Sequence, residues 1–360
     1  MDVQWYPGHM TKARRMMEEN IRLVDLVIEL VDARIPLSSR NPDIDALCTG
    51  KGRVVLLCKA DLADPAKTEE FTDYFRQKGI LAVAVDARER KAGDLVRRYV
   101  QEAGREKIAR DRARGIVGRP LRAMVAGIPN VGKSTFINSF AGRASTKTGN
   151  KPGVTRGKQW IRLGGDVELL DTPGILWPKF DNQLIGMRLA LVGAIRDEIL
   201  DKQELAVWLI NYLQKEYPDA LQARYLSAES PEQAAADKDL DQEEYAMLPP
   251  GYILLLRIAR ARGLLIKGGE PDADRAAAML IDDCKNGRIG RISLDRIQDA
   301  EQMEKERLAF VEAQEREKAK EKEAARKKAA RSARYSRPAR SGGSGKNRET
   351  KGKNDRRKSR

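Results

Sequence analysis

The stretch that decides the fold is LRAMVAGIPNVGKS, residues 121–134. An apolar run leads into GIPNVGKS at Gly127 to Ser134, and a helix start follows. Strand, glycine-containing loop and helix start, in that order, is the setting in which G-x-x-x-x-G-K-S cradles the phosphates of a nucleotide. Gly127 and Gly132 let the backbone wrap the phosphates, so the main chain of Asn130, Val131, Gly132 and Thr135 belongs to the expected site. Lys133 is placed to reach the outer phosphates, and the Ser134 hydroxyl is a ligand for Mg²⁺. A chance match in a glycine-containing loop would lack the flanking strand and helix.

Upstream, the apolar run RVVLLCKAD (53–61) ends in CKAD, Cys58 to Asp61. A carboxylate such as Asp61 accepts two hydrogen bonds, from the guanine N1–H and from its amino group; adenine offers only an acceptor at the matching ring nitrogen. The stem of Lys59 can lie against the base, with Ala60 between the two. ILAVAVDAR (80–88) ends the same way, and Asp86 and Ala87 form an expected second base loop, acting through a backbone N–H. Downstream, DTPG at Asp171 to Gly174 follows DVELL. Asp171 can hold Mg²⁺ through its water shell, and the Gly174 N–H can contact a γ-phosphate and lose it on hydrolysis. Thr155, in KPGVTRG between these motifs, is the candidate that closes over Mg²⁺.

These pieces of one guanine-nucleotide site occur in rotated order. An ordinary GTP-binding domain has its phosphate loop first and its base-reading loop late; here the base loop precedes. The apolar runs alternate with helical stretches at 10–24, 65–78 and 91–112, which predicts a mostly parallel α/β sheet covered on both faces. Strands at 158–163 and 166–170 meet at Gly164-Gly165, a hairpin signal. After Phe180 the strand signal stops, and 182–200, 204–216, 251–262 and 272–285 read as amphipathic helices. Asp201 with Glu204 resembles a capping box, and Pro218 and Gly263 act as stops. The expected organisation is a circularly permuted nucleotide-binding domain at 1–180, a small all-helical domain at 181–300, and a charged helix with a disordered basic tail at 301–360.

The net charge is +15, and residues 324–360 hold 15 Lys/Arg against Glu349 and Asp355, so the tail carries +13 of it. Such a block solubilises a protein or binds a polyanion; its Arg, Lys, Ser and Gly, nearly without acids, suit the phosphates of RNA. No run of about 18 apolar residues exists to span a membrane. The N-terminus MDVQWYPGHMTKARR lacks a signal-peptide core, and Cys48, Cys58 and Cys284 form no metal or disulfide spacing, all of which fits the cytoplasm.

Together the motifs resemble the circularly permuted GTPases. With WYPGHM at Trp5 to Met10 and DARIPLSSRNP at Asp32 to Pro42, the chain resembles the ribosome biogenesis GTPase A family, the YlqF group, over about residues 1–300. The resemblance implies a cytoplasmic GTPase that cycles between GTP and GDP late in assembly of the large ribosomal subunit. Its partners would be the subunit precursor and its rRNA, contacted by the helical domain, with no membrane and no DNA. Two departures stand out. The family has Asn where this chain has Cys58, so nucleotide binding should be weakened while Asp61 still selects guanine. The second base loop is Asp86-Ala87 in place of Ser-Ala.

After DTPG come Ile175 and Leu176, where signalling GTPases carry a water-orienting glutamine, so the intrinsic rate should be low. The resemblance gives the water-orienting role to His9, the single histidine; the alternative is that His9 caps or packs the first helix. It also gives Asn130 a potassium ion to coordinate, supplying charge where other GTPases use an arginine; the alternative is that Asn130 only shapes the loop. Two other functions stay open on the sequence: an RNA-binding assembly protein using guanine nucleotide only as a structural ligand, and a GTPase with a non-ribosomal client.

Overall fold

The apolar runs become strands of one six-stranded sheet, in the order β3-β2-β1-β4-β6-β5. The strands are β1 (Leu26–Asp32), β2 (Gly52–Cys58), β3 (Leu81–Val85), β4 (Leu121–Gly127), β5 (Gln159–Leu163) and β6 (Val167–Asp171). All pairings are parallel except β5 with β6. This computed structural model describes residues 17–41, 44–86, 89, 92–141, 159–163, 166–171, 183–195, 200–226 and 247–335. The Gly164-Gly165 connection lies outside them, and Leu163 pairs with Val167 on either side of it.

β1 is buried at every position, as a central strand covered on both faces should be. Side chains alternate across a strand. Leu26, Ile28 and Leu30 join one core cluster, while Val27 and Val31 join two clusters on the opposite face. Helix α1 (Pro65–Gln77) packs Phe71 and Phe75 into the core shared by Val31, Val55 and Leu57. The Asp64 side chain caps it by accepting from the N–H of Ala66 at 2.9 Å.

The helix expected over 91–112 is two, α2 (Ala92–Ala103) and α3 (Arg105–Ala113). A side chain at Gly104 would meet the Leu121 methyl carbons at 2.5 and 2.9 Å, so the chain turns there on a glycine against β4. α4 (Lys133–Ala141) follows the phosphate loop. The helix expected over 182–200 ends early. α5 (Gln183–Leu191) is stopped by Gly193 at φ +75°, with Ala194 N–H donating to Leu189 O and Gly193 N–H to Ala190 O. That is a Schellman cap, which only a residue tolerant of left-handed φ supplies cheaply.

α6 (Lys202–Glu216), α7 (Pro250–Ala261) and α8 (Ala273–Lys285) follow, with short helical turns at Pro218–Leu221 and Gln222–Leu226 after α6. Asp201 accepts from the Glu204 N–H at 2.9 Å, as the capping signal predicted. The charged helix expected within 301–360 is α9 (Ala300–Tyr335), and residues 291–295 before it hydrogen-bond to Leu62 and Arg34 of the sheet domain. The chain divides into two units, Met1–Phe310 and Val311–Arg360.

Within the first unit the helical region has no separate core. Leu209, Leu255 and Leu280 belong to the same apolar cluster as Leu30 of β1 and Phe136 of α4. Leu209→Ala should therefore cost about 2–5 kcal/mol and lower the stability of sheet and helices together. Calorimetry of the full chain should show one transition shifted as a whole; a helical region melting alone, with the sheet domain unaffected, would contradict a shared core.

Candidate nucleotide site

β1 lies between β2 on one side and β4 on the other, and the connections leave in opposite directions there. In an open parallel sheet that reversal leaves a crevice beyond the carboxyl ends of the strands, the usual place for a ligand. The motifs among the described residues sit on that edge. CKAD follows β2, Asp86 follows β3, the phosphate loop follows β4, and Asp171 ends β6 in register with Val125 of β4.

The phosphate loop is held in shape by sterics and backbone geometry. A Cβ at Gly127 would come within 2.8 Å of the Leu30 carbonyl oxygen, so the close approach of β4 to β1 requires glycine. Asn130 at φ +59° and Gly132 at φ +102° give the loop the left-handed backbone from which anion-binding concavities of N–H groups are built. Val131 is buried, anchoring the loop to the core. Lys133 is buried at the first turn of α4, Ser134 is half-buried beside it, and Thr135 is exposed.

The base loop turns tightly, with Lys59 at φ +57° and the Leu62 N–H donating to Lys59 O at 3.0 Å. Ala60 and Asp61 occupy that turn, half-buried, and Asp86 is half-buried at the end of β3. The Lys59 ammonium lies 3.0 Å from Asp32 Oδ2, so its head is fixed by the last residue of β1. Cys58 is buried in the cluster that also holds Ile128 and Val131 of the phosphate loop. Burial pushes its thiol up to about 12, with Asp32 adding to the shift, so it stays neutral. His9, Ala87, Thr155 and Gly174 lie outside the described residues, as does the side chain of Asp171.

The structure adds residues that motif reading did not single out. Arg34 is fully buried and donates to both carboxylate oxygens of Asp32, at 2.9 and 2.8 Å. The same guanidinium donates to the carbonyls of Cys284 and Lys285 at the end of α8 and to Val192 O after α5. Burial alone would raise the Asp32 carboxyl, but Arg34 and Lys59 outweigh it and hold the group well below the usual carboxylate range.

Both nucleotide loops are tied to the helical region. The Asn130 side-chain amide donates to Gly193 O at 2.7 Å. Arg291 donates to the carbonyls of Ala60 and Ala63 in the base loop, at 2.8 and 2.9 Å, and the Ile292 N–H donates to Leu62 O at 3.2 Å. Asp295, fully buried, accepts from the N–H groups of Leu37 and Ser38 and is paired with Arg188 at 3.0 Å. The stretch DARIPLSSRNP thus joins the sheet to the helices. Its signal in the sequence was a run of Asp, Arg and Ser directly after a buried strand, where a surface loop has no need of two arginines.

Over residues 122–238 the chain matches the family described as 50S ribosome-binding GTPase. It is 44% identical to ribosome biogenesis GTPase A of Priestia megaterium over 303 residues, covering 84% of this chain and 99% of that protein. The chain belongs to the ribosome biogenesis GTPase A family. The corresponding protein of Thermotoga maritima is 30% identical over 304 residues, 84% of this chain and 98% of that one. The crystal structure of GNP-bound YlqF from T. maritima superposes with a TM-score of 0.52 at 27% identity, covering 79% of this chain and 98% of that one.

Family and fold establish a GTPase with a rotated order of motifs. Mg²⁺ is the metal such enzymes generally use. The Ser134 hydroxyl at the start of α4 is an oxygen donor of the kind Mg²⁺ takes, and Asp171 ends the strand beside β4. Among the described residues no group of three His, Cys, Asp or Glu could hold a metal without the nucleotide's oxygens.

Arg34→Met should lower stability by about 3–5 kcal/mol at neutral pH, because Asp32 is left buried with Lys59 alone. The Asp32 carboxyl is depressed in the folded chain. Its contribution is therefore present above the ordinary carboxylate pKa of about 4 and is lost as the pH falls toward the folded value. The gap between the two proteins should narrow in denaturant titrations below about pH 4; an equal gap at pH 7 and pH 3.5 would contradict the assignment.

Proposed function

We propose that this GTPase acts as an assembly factor in late maturation of the large ribosomal subunit, gripping the precursor and its rRNA with GTP bound and letting go after hydrolysis. The supporting observation is that the phosphate loop and the base loop are each hydrogen-bonded to the helical region, through Asn130 with Gly193 and through Arg291 with Ala60 and Ala63. A change in either loop has a short path to the helices. Family membership supports the ribosomal client, and the relatives' names carry that role. A cytoplasmic location fits it, and no described helix is long and apolar enough to cross a membrane. The expected division is a GTPase domain at 1–180, an RNA-facing helical domain at 181–300 and a charged, basic extension at 301–360.

In this reading Asp61 selects guanine, Lys133 and the loop N–H groups neutralise the outer phosphates, and Mg²⁺ held by Ser134, Thr155 and Asp171 supplies charge stabilisation when bound. His9 orients the attacking water, since Ile175 and Leu176 offer no hydrogen bond to it. Asn130 donates its amide nitrogen to Gly193, so its amide oxygen is the atom that would take K⁺. K⁺ dependence and the Gly193 contact would then be linked through one side chain.

The unaltered chain should turn over GTP and not ATP, and Asp61→Asn should shift preference to xanthine nucleotides, whose base carries an oxygen in place of the amino group. Equal ATP and GTP turnover would sink the base assignment.

His9→Ala should reduce turnover stimulated by large ribosomal subunits about a hundredfold while GTP affinity stays nearly constant, the pattern of a contact made only in the transition state. If binding and thermal stability fall together instead, His9 is a packing residue. Running the assay in potassium and in sodium, with and without subunits, tests the ion and the client together.

A further inference from the structure

Away from the nucleotide edge the structure carries a second charged surface. α3 and the loop after it, residues 105–122, hold seven Lys/Arg against Glu106 and Asp111. α3 buries none of its residues fully, and residues 112–119 are all exposed. Arg110 and Arg112 make no ion pair among the described residues. A helix that is polar nearly all round and excludes little water is not explained by packing.

The loop is nevertheless held. Gly115 at φ +76° ends α3 with its own N–H on Arg112 O and the Ile116 N–H on Asp111 O, a Schellman cap. Such a cap usually buries the residue at the Ile116 position. Here Ile116 is 41% and Val117 86% exposed, an apolar tip that Arg112, Arg114 and Arg119 flank in the sequence.

The surface continues onto the sheet. Lys107 and Arg119 both approach Asp25, at 3.8 Å, and the Asp25 carboxylate accepts from the Arg122 N–H at 3.0 Å. The Arg122 guanidinium lies 5.1 Å from the ring centre of Trp160, which is 40% exposed on edge strand β5. Arg122 and Arg162 share Glu168, each at 3.2 Å, leaving the cations in excess. Because Leu121 begins β4 and Gly127 ends it, the part of this surface around Arg122 and Arg162 sits at the end of the sheet away from the phosphate loop, about 17–20 Å distant at 3.3 Å per residue, while Trp160 lies nearer, level with Met124.

We propose that residues 105–122, with Trp160 and Arg162, form a second RNA-binding surface, on the GTPase domain and separate from the basic tail. The cations would take backbone phosphates, and Trp160 and the Ile116-Val117 tip would meet bases or sugars. This rests on the reading that RNA is the protein's partner. A lipid surface fits less well, since binding in a bilayer interface needs one broad apolar helix face, and α3 has charges around its circumference. An RNA held here and by the helical region would be bridged by the sheet whose other end holds the nucleotide.

The test is binding of the full chain to labelled oligouridine and to purified large ribosomal subunits across a salt series, for R110A/R112A/R114A, for W160A and for a chain lacking 324–360. The triple variant should bind RNA about tenfold or more weakly, with a log–log salt slope flatter by about 2, as expected for three lost phosphate contacts at about 0.7 each. W160A should lose about fivefold or more. Fluorescent GDP binding and basal GTP hydrolysis should not change in either, which also shows that both fold. Unchanged affinity and slope in the triple variant, with binding lost only on removal of the tail, would overturn this surface and leave the RNA reading standing. Failure of the unaltered chain to bind RNA would remove that reading itself. Loss of binding to phosphatidylserine vesicles without loss on RNA would overturn the proposal in favour of a lipid contact.

Discussion

A guanidinium buried at the junction of sheet and helices is the constraint around which the rest of the structure is arranged. Among the described residues Arg34 is the largest fully buried side chain, and a buried cation costs several kcal/mol unless it is paired and fully hydrogen-bonded. The pairing partner is Asp32, the last residue of the central strand β1. The carbonyls that complete its shell come from the end of α8 and from the turn after α5. Carbonyls at a helix C-terminus lack partners within the helix, so a cation there satisfies two needs at once. Asp32 in turn holds Lys59 of the base loop. One ion pair therefore fixes the base-reading loop and the seat of the helical region relative to the same strand.

The circular permutation gives this arrangement its purpose. In an unrotated GTPase the switch after DxxG is tied back into the domain, whereas here the chain leaves β6 for the helices. Topology alone would allow a loosely tethered helical domain. The hydrogen bonds from Arg291 to the base loop, from Asn130 to Gly193, and from the Leu37 and Ser38 N–H groups to Asp295 replace the tether with a fixed joint. A joint of this kind gives a change at the γ-phosphate a direct path to the helices, which the proposed grip-and-release cycle requires.

Much of this was legible in the sequence, and for a physical reason. Parallel strands buried on both faces appear as apolar runs, and the loops at their carboxyl ends must carry the polar chemistry, so β1, β2, β3 and β4, with the phosphate loop after β4 and CKAD after β2, could be placed from residue types alone. The departures come from tertiary contacts. The helix expected over 182–200 ends at Leu191 because Gly193 adopts a left-handed cap, and a glycine reads the same in sequence whether it caps or merely interrupts. The helix expected over 91–112 breaks where Gly104 meets Leu121, a contact between residues far apart in the chain. Asp295 sits in a charged stretch of sequence yet is fully buried against Leu37 and Ser38. Long-range polar bonds of that sort leave no periodic signal. The tail drew attention as the seat of positive charge, while the cluster at 105–122 was masked by acids elsewhere in residues 1–323.

In the proposed cycle, nucleotide state reaches the helical region through the loops that Arg34, Arg291 and Asn130 join. Amide hydrogen exchange of the full chain, with GDP and with a non-hydrolysable GTP analogue, tests it most directly. The account predicts that protection at residues 189–195 and 284–295 changes between the two states, together with that at the phosphate and base loops. Identical exchange at both helical segments, with the phosphate loop alone responding, would contradict it.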